Sequence, residues 1–320
     1  MAHRKQFGDK SGGGLSPATR ITQEIIARLE AGTKPWIQPW RGVPISRPLR
    51  ACGIPYRGMN VFWLWMVADM CGYASPYWMT YNQAKSLGAQ VRKGEVSTIA
   101  IFYKSYTKEV EAPGTGEKSD EARRVLKSYP VFNADQVEGL PERYHPASLD
   151  LVEPALEPGG REAELDAFFG AIPAMLRHLG GEAYYEMGAD RITMPPAHLF
   201  TGFDHYYATL AHELSHWTGH PSRLARDLKN RFGTAAYAAE ELIAELSSAM
   251  LGAELGVPVT HLDSHASYID HWLKLLRQDD RAILTAAAKA EEASSLLLKL
   301  GGRVIADDGV GEPDHAALAA

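Results

Sequence analysis

His212-Glu213-Leu214-Ser215-His216 brings together two imidazoles and one carboxylate, the residue types that metal-dependent hydrolysis uses. On an α-helix, positions i and i+4 lie about one turn apart on the same face, so both imidazoles reach a single tetrahedral Zn2+ at roughly 2.0–2.1 Å. Glu213 sits beside them, where a carboxylate can take the proton of a water attacking a carbonyl. A pattern this short arises by chance in about one chain per hundred of this length, so the flanking residues matter. Tyr206, Tyr207, Leu210, Leu214 and Trp217 recur at helical spacing, which predicts an amphipathic helix over 204–218 with the histidines on one face. The competing reading is a pair of core histidines around a surface glutamate. His205 and His220 read as bystanders, His220 marking the helix exit.

A tripod of protein ligands needs a third member, and Glu240-Glu241-Leu242-Ile243-Ala244-Glu245 supplies three carboxylates on the next predicted helix. Glu241 and Glu245 are four residues apart and share a face. Glu241 is predicted as the ligand and Glu245 as the acceptor holding a ligand histidine's N–H, with a merely solvated acidic face as the alternative. This order resembles the gluzincin arrangement, in which an acidic helix follows HExxH. Zn2+ is the predicted ion, and Mn2+ suits the same donors.

A second constellation lies upstream. Residues 1–130 hold 19 Lys and Arg against 10 Asp and Glu, whereas the remainder holds 14 against 29, so the net charge of −6 conceals a basic first half and an acidic second half. A basic half suits a polyanionic partner. Five of the seven tryptophans precede residue 80, and aromatic faces beside a positive groove are what single-stranded DNA binding requires. Trp36, Trp40, Arg41, Arg57, Tyr81, Lys85, Arg92 and Lys93 are the predicted DNA-binding residues. Trp63 and Trp65, inside the run Phe62-Trp63-Leu64-Trp65, read rather as core.

The elements that must position these residues read as α+β. The predicted helices of the first half are 19–31, 60–71 and 81–87; a strand covers 97–106, a polar hairpin tip 107–122, and a partner strand 123–133. The prolines and acidic residues of 141–160 mark an inter-domain linker. In the second half, a helix over 161–179 kinked at Pro173, two short strands at 183–187 and 191–194, and helices over 204–218, 234–255, 261–276 and 279–300 are predicted. Residues 1–15 and 301–320 read as a disordered leader and tail. The N-terminus lacks an apolar secretory segment, no run approaches the roughly 20 apolar residues of a membrane span, and Cys52 and Cys71 are the only cysteines. A cytoplasmic protein without a membrane partner is the expectation.

Several motifs in one order carry a resemblance: Thr33-Lys34-Pro35-Trp36, Asn60-Val61-Phe62-Trp63-Leu64, Trp78-Met79-Thr80-Tyr81-Asn82-Gln83-Ala84, Gly88-Ala89-Gln90-Val91-Arg92-Lys93-Gly94-Glu95, then His212 to His220 and Glu240 to Glu245. Over roughly residues 16–300 the chain resembles ArdC-type antirestriction proteins of conjugative plasmids. That resemblance implies an N-terminal mixed α/β domain (16–140) with an antiparallel hairpin that binds single-stranded DNA. It also implies a mostly helical zincin-like metallopeptidase domain (161–300) with a small β-sheet, and a role in protecting incoming plasmid DNA. The partners implied are single-stranded DNA and a host restriction component or other protein substrate. Two functional readings stay open: a metallopeptidase with Glu213 as its base, or a non-enzymatic DNA-binding protein braced by zinc. A phosphoester hydrolase is a poorer match, since such sites mostly use two metals and more carboxylates.

Overall fold

The first helix, α1 (Pro17–Glu30), starts two residues earlier than its apolar periodicity suggests, because Pro17 suits a first helical turn and Ser16 Oγ accepts the Thr19 N–H at 3.1 Å. In this computed structural model, residues 15–36, 46–111, 118–145, 160–226, 235–258 and 266–303 are described. The predicted leader and tail lie almost wholly outside them, as does most of the linker.

α2 (Met59–Cys71) is apolar on nearly every side and is buried accordingly from Val61 to Ala68, with Trp63 and Trp65 in the core as expected. It ends at Gly72, whose φ of 69° places it in the left-handed region that glycine adopts without strain. Across α2 lies a sheet of β1 (Leu49–Arg50), β2 (Tyr77–Met79), β4 (Thr98–Glu111) and β5 (Lys118–Asn133), in the order β1-β2-β5-β4. β1 and β2 are parallel and the other neighbours antiparallel. The β4–β5 ladder corrects the predicted hairpin tip. Pairing continues to Glu111↔Lys118, so residues 107–111 and 118–122, expected to form an irregular connection, extend the two-stranded ribbon by about 16 Å. α3 (Tyr81–Ser86) is closed by a capping box between Thr80 and Gln83 and packs against a second, two-stranded sheet of β3 (Gln90–Val91) and β6 (Val137–Glu138).

Residues 141–145 continue this half: Tyr144 is buried, its hydroxyl donates to Ala51 O at 2.8 Å, and its carbonyl accepts from Ser75 Oγ at 2.6 Å. The helix expected to reach residue 179 stops early. α4 (Gly160–Gly170) ends at a glycine, Pro173 follows, and β7 (Met175–His178) joins a sheet ordered β7-β9-β8 with β8 (Tyr184–Glu186) and β9 (Arg191–Met194). β7 runs parallel to β9, and β8 antiparallel. Four helices follow: α5 (Phe203–Thr218), α6 (Ala235–Leu255), α7 (Ala266–Gln278) and α8 (Ala282–Leu300).

One buried apolar cluster crosses the expected domain boundary, since Ile21, Ile25 and Phe62 belong to the same core as Leu246, Trp272 and Ala287. A second core lies between α5, the small sheet and the ends of α6 and α8. Among the described residues, no helix is long and apolar enough to cross a membrane.

Candidate metal centre

α5 buries Tyr207, Leu210, Ala211, Leu214 and Trp217 in the second core, which turns the other helix face, with His212 and His216, toward α6. The two rings stand edge to face at 83° with centroids 4.9 Å apart, and their Nε2 atoms approach to 3.2 Å. Glu241 reaches both from α6: its Oε2 lies 3.6 Å from His212 Nε2 and its Oε1 3.6 Å from His216 Nε2. One ligand atom from each residue fits within a 4.8 Å span. Around a tetrahedral ion with bonds of about 2.0–2.1 Å, neighbouring donors stand about 3.3 Å apart. The Nε2–Nε2 separation and the approach of one Glu241 oxygen to each ring are close to that spacing, and imidazoles suit Zn2+ while the carboxylate also suits Mn2+.

His216 is held from behind. Its Nδ1 lies 3.2 Å from Glu240 Oε1, and the Arg226 guanidinium grips both Glu240 oxygens, with Nη2 to Oε1 at 2.8 Å and Nε to Oε2 at 2.9 Å. The same guanidinium donates to Ser215 O and Thr218 Oγ1, tying it to the end of α5. Gly219 makes room for it, since a Cβ there would meet Arg226 Nη2 at 2.9 Å. His212 Nδ1, by contrast, is buried with no hydrogen-bond partner among the described residues.

The carboxylate expected behind the histidines was Glu245, and this is corrected. Glu245 faces the N-terminal half, 3.3 Å from Lys34 Nζ and accepting from Trp36 Nε1 at 3.4 Å. Glu240, one residue before Glu241, takes the role because the α5–α6 crossing brings His216 to its side of α6. Arg226 has no signal in the sequence.

Charge in the site follows from this packing. Burial pushes the Glu213 carboxyl above the ordinary range, partly offset by His212 and His216 and by a backbone hydrogen bond with Tyr185 of β8. Burial also opposes charge on His216, yet the hydrogen bond to Glu240 and the nearby carboxylates of Glu241 and Glu213 outweigh it and raise its pKa to about 9. Burial alone would raise Glu241, but His212, His216 and the Tyr237 hydroxyl bring it down to about 2. Strand β8 is pinned beside Glu213 by Arg223, which lies over the Trp217 ring at 3.8 Å and pairs with Asp190 in the β8–β9 turn.

The predicted DNA-binding residues separate into groups. Tyr81 is exposed, and Gln90 Nε2 donates to its hydroxyl at 3.1 Å; Lys85 and Lys93 are exposed on the same α3–β3 unit. Arg92, between them, pairs with Glu95 at 2.8 Å. Arg57, just before α2, reaches toward α8, with its Nε 4.0 Å from Glu291 Oε1. Trp36 is corrected: it is 2% exposed, with its ring edge to face against Trp272, and offers no face to a base. Trp40 and Arg41 lie outside the described residues.

Two histidines four apart on one helix, a buried glutamate between them and a carboxylate from the following helix define a zincin-like domain, here sharing its core with a basic α/β half. The comparisons agree with that class. Residues 163–289 match the zincin-like metallopeptidase family, and residues 16–132 match the N-terminal domain of anti-restriction factor ArdC. The crystal structure of metal-free antirestriction protein ArdC from plasmid R388 superposes with a TM-score of 0.75 at 45% identity, covering 90% of this chain and 98% of that one. The Mn(II)-bound form of that protein gives 0.74 at 43%, with the same coverage. An uncharacterized protein of Sinorhizobium fredii is 40% identical over 85% of this chain and 88% of its own length. A DNA primase TraC of Escherichia coli is 40% identical over 87% of this chain but only 27% of its own length. The chain belongs to the ArdC antirestriction family.

Proposed function

We propose that this protein counters restriction as a DNA-recruited metallopeptidase, binding single-stranded DNA with its basic half and hydrolysing a peptide bond at the His212–His216–Glu241 centre to protect plasmid DNA entering during conjugation. A divalent ion on those three residues supplies Lewis-acid polarisation of the scissile carbonyl and acidifies water. Glu213 accepts the proton of the attacking water and delivers it to the leaving amine nitrogen. Glu240 and Arg226 keep His216 turned toward the ion. Glu213 is the observation that carries the reading: it is 7% exposed, its basicity is raised by burial, and it stands between the two histidines without holding the support role that Glu240 fills. A carboxylate tuned upward in this way matches general-base work near neutral pH.

The decisive variant is Glu213→Gln, which is nearly isosteric. It is expected to keep the fold, bind the metal and bind DNA, yet fail to protect a transferred plasmid from restriction in recipient cells. Full protection by Glu213→Gln would leave the ion a structural brace and the DNA-binding half the active part.

For that half, the exposed Tyr81, Lys85 and Lys93 supply a ring for base stacking and cations for phosphates. A polarisation titration is expected to show tighter binding of single strands than of duplex, weakening with salt, and a loss of about 1–3 kcal/mol for Tyr81→Ala. Equal affinity for both DNA forms would remove the stacking surface from the reading.

A further inference from the structure

Lys34 and Trp36 belong to the basic half, yet their side chains are buried against the metal-bearing helices. Lys34 Nζ lies 3.3 Å from Glu245 Oε1, and both side chains are less than a tenth exposed. Trp36 Nε1 donates to the other oxygen of Glu245. Glu245 is one helical turn beyond Glu241 on α6, so this grip fixes the segment that presents the metal carboxylate.

A second path leads to the same carboxylate. Trp36 meets the Trp272 ring edge to face at 5.3 Å, and Lys34 Nζ stands 5.9 Å from the centroid of that ring. Trp272 donates to Ala238 O in the first turn of α6 and stacks on Tyr268, one turn back along α7, at 6.2 Å and 23°. The Tyr268 hydroxyl is 3.2 Å from that of Tyr237, and Tyr237 hydrogen-bonds Glu241. A carboxylate ligand keeps its rotamer only while the donor beside it keeps its own, and these rings fix that donor.

We propose that Lys34 and Trp36 are positioning residues for Glu241, so that docking of the N-terminal half sets how tightly the zincin-like half holds its ion. The inference rests on the metal reading of His212, His216 and Glu241. Loss of either contact frees Tyr268 and Glu245 to move, Glu241 then populates several rotamers, and its ordering is charged against metal binding.

The test uses the full chain with Co2+ alone as the probe, measuring affinity by competition with a chromophoric chelator, the visible Co2+ spectrum, and the melting midpoint of the metal-free protein. Lys34→Met and Trp36→Phe keep most of the bulk, and Tyr268→Phe removes only the hydroxyl. Each is expected to lower Co2+ affinity about tenfold or more and to shift the Co2+ bands. Arg277→Met, which breaks the exposed pair with Glu30 that also joins the halves, is expected to change neither. Should Lys34→Met fail to fold, Trp36→Phe and Tyr268→Phe carry the decision. Wild-type affinity and spectrum in those variants, whatever happens to the melting midpoint, overturn the positioning role while the metal centre stands. A wild-type chain whose Co2+ uptake is unaffected by His212→Ala overturns the metal reading and this inference with it.

Discussion

At the level of single residues, the three metal-facing side chains hold a proton that an ion must displace. His216 is raised to about 9 because the Glu240 hydrogen bond and two further carboxylates outweigh the cost of burying an imidazolium. The metal-free site is therefore protonated at neutral pH, and binding a cation there releases a proton. Metal affinity is expected to climb as pH rises toward about 9 and then level off, as read by calorimetry in buffers of different ionisation enthalpy. The sign for metal-free stability is opposite: a pKa raised above its unfolded value contributes stability that is complete below about 6.5 and lost as pH passes through about 9. Glu240→Gln removes one of the charges that hold the proton, so its affinity curve is expected to level off at lower pH; an unchanged curve would show that Glu240 does not set the His216 charge. The histidine pair was legible because a spacing of four on a helix fixes a shared face. The choice between Glu240 and Glu245 was not, since helical spacing says which carboxylates are neighbours but not how α6 crosses α5.

The helices are the elements whose periodicity reads most directly. α5, α6 and α8 fall within about three residues of their apolar patterns, because burial on one side imposes a 3.6-residue repeat. The sequence marks only the first part of β4, because a two-stranded ribbon satisfies its backbone hydrogen bonds whether or not its side chains alternate, so the polar run from Thr107 carries no signal of pairing. α6 and α8 show what composition says about distance. Ala249, Met250 and Ala253 on one helix share a core with Ala286, Ala287 and Ala290 on the other, and Ser294 Oγ lies 3.7 Å from Met250 Sδ, so small residues let two long helices approach closely. Ala290→Leu inserts three carbons into that contact. It is expected to cost about 1–3 kcal/mol by chemical denaturation, and because α6 also carries Glu241, to weaken metal binding alongside. A stability within about 0.5 kcal/mol of wild type would mean that the helices are spaced widely enough to absorb the side chain.

Across the whole molecule, the opposite charges of the two halves meet each other as well as any outside partner. Lys34 is neutralised by Glu245, Arg57 leans on Glu291, and Arg47, with its side chain 1% exposed, pairs with Glu254 at 2.7 Å and with Glu291 at 2.8 Å. Glu291 also accepts the Gly58 N–H at 2.9 Å, so one carboxylate of α8 closes the loop that leads into α2. Thr22 reaches the Asp280 carbonyl at 2.6 Å, and the apolar sides of α1 and α2 lie in one core with α6, α7 and α8. The proline-rich stretch after residue 140 reads as a boundary between independent domains, but local composition does not report where a helix buries its face. Without α6–α8, the side of α1 that packs on α7 and the side of α2 that packs on α8 would face water, an apolar patch that monomeric domains avoid. The chain is therefore expected to melt in one calorimetric transition with metal removed. Arg47→Ala, which takes the shared cation from the half-buried carboxylates of Glu254 and Glu291, is expected to lower the stability of both halves together by about 1.5–3 kcal/mol, followed through Trp fluorescence and through hydrogen exchange in α6. Two separate transitions, with α6 protection unchanged in Arg47→Ala, would return the halves to independent folding and confine the ion cluster to a surface role.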